Sequence, residues 1–80
     1  MRYFELGLGN SIEEDSETFE YSICIKANRE VKTFEEVNKF LETDLLNLGY
    51  KTVVSIEEIP EEEAKTCFDW EGIMKAPIFE

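Results

Sequence analysis

Phe19-Glu20-Tyr21-Ser22-Ile23-Cys24-Ile25-Lys26-Ala27, followed after a short basic turn by TFEEVNKFLETDLLNLG at residues 33–49, decides the fold. In the first stretch Phe19, Tyr21, Ile23, Ile25 and Ala27 occupy every second position, and Glu20, Ser22, Cys24 and Lys26 take the others. Strand side chains point alternately to two faces, so this period gives a strand with one core face and one wetter face. In the second stretch Phe34, Val37, Phe40, Leu41, Leu45 and Leu48 recur at the steps that line one side of a helix. Thr33 with Glu36 has the spacing of a capping box, in which each side chain satisfies the other's free backbone donor. Gly49 stands where a left-handed C-terminal cap belongs.

Residues 2–8 alternate as well, with Phe4, Leu6 and Leu8 on one face and Tyr3, Glu5 and Gly7 on the other. Strands joined by a modest loop pair antiparallel, so these two should be partners. Beyond the helix, residues 50–59 carry the β-branched run Thr52-Val53-Val54-Ser55-Ile56, apolar on both faces, which suggests a third strand in a central position. The segment 60–65 fits either a short helix with Pro60 in its first turn or a turn into a last strand, and residues 66–71 alternate as a strand does before the pattern ends at Gly72. The expected architecture is one α+β domain over residues 1–80. It has a small antiparallel sheet of three or four strands with one main helix, residues 33–48, packed on one face, in the order β-β-α-β(-β). Phe19, Tyr21, Ile23, Ile25, Val37, Phe40, Leu41 and Leu45 should form the core.

Eighty residues support one core, and six Phe, three Tyr and one Trp supply the large apolar surfaces it needs. Nineteen acidic residues against eight basic ones leave a net charge of -11, far beyond what solubility requires. That sign disfavours direct contact with nucleic acid or an anionic membrane, both of which attract clustered Lys and Arg. Glu5 interrupts any apolar segment after Met1 and Arg2, so no secretory signal is expected, and Cys24 and Cys67 are expected as reduced thiols in a cytoplasmic protein.

The chain lacks histidine, the commonest general base and transition-metal ligand, and it has no Cys-x-x-Cys pair and no phosphate-cradling glycine loop. Both thiols sit in a negative field that opposes thiolate formation. The acidic loop at residues 13–17 lacks the alternating ligands and the glycine of an EF-hand and is expected to be a solvated loop. No catalytic residue, metal or cofactor is therefore expected, and the chain is expected to act by binding rather than by catalysis.

Three acidic groups are left to carry a binding surface: the loop Glu13, Glu14, Asp15 and Glu17; the helix face Glu35, Glu36, Glu42 and Asp44; and the segment Glu57, Glu58, Glu61, Glu62 and Glu63. Their natural partner is a basic protein surface, such as the nucleic-acid channel of a nuclease complex, met by a monomer or homodimer. In size, in the acidic surplus of Glu13-Glu14-Asp15, Glu57-Glu58 and Glu61-Glu62-Glu63, and in its α+β pattern, the chain resembles the small phage and mobile-element inhibitors of host defence nucleases, of anti-CRISPR or antirestriction type. The resemblance covers composition and size. It implies a DNA-mimicking inhibitor acting in a host cytoplasm. Two alternatives share the composition: an immunity or antitoxin protein that neutralises a basic partner, and an assembly component using the apolar tail Phe68, Trp70, Ile73, Met74, Ile78 and Phe79.

Overall fold

The computed structural model describes residues 1–10 and 21–80, so Phe19 and the acidic loop with Glu13, Glu14, Asp15 and Glu17 lie outside the described residues. The elements run β1 (Arg2–Gly9), β2 (Tyr21–Ala27), α1 (Phe34–Phe40), α2 (Glu42–Leu48), β3 (Thr52–Ile59), α3 (Glu61–Cys67) and α4 (Trp70–Lys75). The fold is α+β, with an antiparallel sheet in the order β2-β1-β3.

The alternation of β1 does what its period requires. Phe4, Leu6 and Leu8 enter the main core with Ile25 of β2, Val37 of α1, Leu45 of α2, Val53 of β3 and the intervening Leu41. The central strand is β1, however, and β3 lies at an edge. The apolar pair Val53-Val54 that suggested a central position belongs instead to a bulge. Register passes from Gly7↔Ser55 to Leu8↔Val53 and leaves Val54 as the extra residue. Side chains repair the ladder there. The Ser55 hydroxyl accepts from the Gly7 N–H at 3.2 Å, and Asn38 Oδ1 of α1 accepts from the Val53 N–H at 2.8 Å.

The expected single helix is two seven-residue segments meeting at Leu41 (φ -100, ψ 14). Hydrogen bonds from Leu41 N–H to Val37 and from Leu45 N–H to Leu41 carry the helical bonding through the junction. Thr43 and Asp44 are weak helix formers, so little propensity holds that stretch straight while Leu41 and Leu45 both seat in the core. The capping box forms as expected, with Thr33 Oγ1 accepting from Glu36 N–H at 3.2 Å and Glu36 Oε2 accepting from Thr33 N–H at 3.1 Å. Gly49 closes α2 in the left-handed region at φ 85.

Of the expected core, Ile25, Val37, Leu41 and Leu45 are buried, and Ile23 and Phe40 are half-buried. Tyr21 is instead exposed, because it begins an edge strand while α1 packs on the β3 side; its ring leans on Tyr50 at 6.1 Å. Leu48 is exposed too, at the last residue of α2.

The largest departure from expectation is beyond β3. Segment 60–65 is helical, and the alternation at 66–71 does not become a strand; it spans the end of α3, an extended Phe68 and the start of α4. Pro60 fits because a helix start needs no N–H from it, and Glu61, Glu62 and Glu63 meet the positive end of the helix dipole. These helices bury Ala64 and Ile73 against Tyr3 and Ile59, giving the second sheet face its own small core. Lys26, buried on that side, donates from Nζ to the Met74 carbonyl at 2.6 Å, at the negative end of α4. The chain then returns. Phe79 makes a parallel bridge with Ala27, meets Phe40 edge-on at 5.1 Å and lies under the Arg29 guanidinium at 4.6 Å.

Candidate acidic interface

Register on the second sheet face brings carboxylates together. Glu5 of β1 lies directly opposite Glu57 of β3 on one side and Cys24 of β2 on the other. Glu63, in the first turn of α3, is near enough to act on Glu5. Burial first, and then the charges of Glu57 and Glu63, hold the Glu5 carboxyl above the usual carboxylate range. All eight Lys and Arg residues belong to the described segments, yet none of the three carboxylates makes an ion pair. This is a patch of negative charge without an ion-pair partner, and two of its three members, Glu57 and Glu63, were expected from the sequence. Glu5 was missed because its neighbours come from register across strands, a relation that no local pattern encodes.

The remaining acidic residues divide by what they already do. Glu58 faces the opposite side of the sheet, where Arg2 binds it through two nitrogens at 2.7 and 2.9 Å and lowers its pKa. Glu36 accepts from Arg29 at 2.8 Å and from the Thr33 and Lys32 N–H groups, and Arg29 leads in lowering its pKa. Glu61 has Lys65 at 3.6 Å and lies 3.4 Å from the Tyr3 hydroxyl. These three are partly committed to the fold. Glu35, Glu42, Asp44 and Glu62 are exposed and carry no ion pair; in particular Glu35 and Lys39 do not meet, although their spacing favours it. The helix set on α1 and α2 and the set around Glu5, Glu57 and Glu63 lie on opposite sides of the sheet, so they form two patches rather than one.

Both cysteines are free thiols. Burial pushes Cys24 up to about 11, with the charge of Glu5 adding to it and the Phe4 N–H partly opposing it. It is a protonated thiol at neutral pH and a poor nucleophile. Among the described residues no group of three or more His, Cys, Asp or Glu side chains is placed to hold a metal ion, and no helix is long and apolar enough to cross a membrane. No protein-family model, curated protein or solved structure matches the chain.

Proposed function

We propose that this chain is a non-enzymatic inhibitor that blocks a nucleic-acid-binding protein, of the defence-nuclease type targeted by anti-CRISPR proteins, by filling its basic channel with a DNA-mimicking acidic surface. The observation that carries this is the Glu5-Glu57-Glu63 patch, where burial and the neighbouring carboxylates raise the Glu5 pKa and none of the three makes an ion pair. Such an arrangement costs folding free energy, and a cationic partner relieves it. Glu61 and Glu62, in the same helical turn as Glu63, extend the negative surface. A channel built for duplex DNA, with one negative charge per about 1.7 Å of helix axis, offers the complementary field. The cytoplasm, where such targets work, is the proposed location.

An assembly role through the apolar tail has less to recommend it, because Phe79 and Ile73 are spent on the chain's own two cores. The test is an inhibition assay on purified RNA-guided and restriction nucleases, reading DNA binding and cleavage. Inhibition of one of them, relieved by excess duplex DNA and lost in Glu57→Lys/Glu63→Lys, is the expected result. Inhibition untouched by that double reversal, or by competing DNA, would sink the mimicry proposal.

A further inference from the structure

The outer edge of β2 is half used. Phe79 donates its N–H to the Lys26 carbonyl at 3.0 Å and accepts from the Asn28 N–H at 3.2 Å, so the backbone groups of even-numbered residues on this strand point away from β1. Strand backbones alternate, and Ser22 and Cys24 therefore present N–H and C=O groups to the same outer side. The tail does not reach them. It comes off α4 at Ala76, and Pro77, with no N–H to give, stands two residues before Phe79, the residue that pairs. Among the described residues, no strand or backbone group pairs with the Ser22–Cys24 edge.

Beside that edge runs a groove of about 230 Å³ whose other wall is Phe68, Asp69, Ile73 and Ala76. It is mostly apolar, with the Asp69 carboxylate at its rim and Glu5 next to Cys24 in the register. The closest cation on the strand, Lys26, is turned to the Met74 carbonyl. A second copy would pair two chains of net charge -11 along this edge, which electrostatics opposes.

We infer that the open half of the β2 edge accepts an extended, positively charged peptide segment as an added strand, with its apolar side chains in the groove against Phe68 and Ile73. Backbone hydrogen bonds supply the docking, the groove selects alternate side chains, and the net charge selects basic sequences. The inference does not rest on the acidic-patch proposal: Glu5 borders both, but the groove is walled by β2, Phe68, Ile73 and Ala76, whereas Glu57 and Glu63 belong to β3 and α3.

The probe is an end-blocked eight-residue peptide alternating Val and Lys, compared with a Val/Glu peptide and with a Val/Lys peptide N-methylated at every second residue. Amide hydrogen exchange of the full chain is followed by NMR. At saturation with the Val/Lys peptide, exchange at the Ser22 and Cys24 amides should slow at least tenfold, with Ile23 and Ile25, already bonded to β1, unchanged. Neither control should do this. Ser22→Pro, which deletes an outward N–H and spares the β1 ladder, should weaken binding about tenfold. Ala76→Trp, which fills the groove and leaves the β2 sequence unchanged, should do the same and decides the matter if the proline variant does not fold. The proposal falls if Ser22 and Cys24 stay unprotected while the peptide is bound, or if the N-methylated peptide binds as well. It falls equally if the two amides become protected by raising protein concentration alone, which would make the occupant a second copy.

Discussion

Asn38 and Glu5 show how single side chains tune this fold in opposite directions. Asn38 Oδ1 supplies the acceptor for Val53 N–H at the bulge, and its Nδ2 donates to Thr52 Oγ1 at 2.9 Å. Asn38→Ala leaves the N–H of a fully buried valine without that acceptor and should destabilise the protein by about 1–2 kcal/mol, measured by urea unfolding at constant m-value. Glu5 works against stability. Its folded-state pKa is raised, so the native state binds protons more readily than the unfolded chain, and stability declines as pH rises through the folded-state titration. Glu36 and Glu58 have lowered pKa values, and the stability they add is present above the ordinary carboxylate range and lost as pH falls through their folded titrations. Glu5→Gln should therefore raise Tm at pH 7 by a few degrees. Thermal melts between about pH 4.5 and 7 should show the gain shrinking toward the acid end. A gain that did not vary with pH would mean that the carboxylate charge is not its source.

At the level of elements, β1, β2 and the helical run after Thr33 were legible because each writes its period into contiguous residues: Phe4-Leu6-Leu8 at two, Phe34-Val37-Leu41-Leu45 near 3.6. The capping box and Gly49 were legible because caps are local chemistry. What local pattern did not carry was position in space. Val53-Val54 looks like a strand buried on both faces, and it takes Asn38 of α1 and the register with Gly7 and Leu8 of β1 to make it a bulge on an edge strand. Cys67-Phe68-Asp69-Trp70 alternates as a strand would, yet Ala64 and Ile73 find better burial as helices over Tyr3 and Ile59. Glu57 and Glu63 were visible as candidate binding residues, whereas Glu5 joins them only through strand register. The tail gives this a measurable form. Phe79 is 4% exposed and touches Phe40 and Arg29, so Phe79→Ala should cost about 3 kcal/mol and lower Tm, as monitored by circular dichroism. A loss of partner binding in that variant would consequently report on folding before it reported on an interface.

The whole molecule is small relative to the reach of its own charge. Its radius of gyration is 11.7 Å, while the Debye length is about 30 Å at 0.01 M salt and about 10 Å at 0.1 M. At the lower concentration every carboxylate feels every other, and at the higher only neighbours interact, so Tm should rise by a few degrees across that range. The same experiment separates how much charge the chain carries from where it is placed. Glu57→Lys/Glu63→Lys and Glu35→Lys/Glu42→Lys each add four positive charges to a net charge of -11, bringing both variants to -7. Because self-repulsion depends on the total, both should melt higher than the parent at 0.01 M salt and respond less to added salt, an effect on the order of 1 kcal/mol. Inhibition should divide them. Glu35 and Glu42 are on the helices of one side of the sheet, and Glu57 and Glu63 join Glu5 on the other, where no cation of the chain answers them. Nuclease inhibition is expected to survive the first reversal with a modest loss of association rate and to be lost in the second. Equal loss in both variants would mean that net charge, rather than the geometry of the Glu5-Glu57-Glu63 patch, governs binding.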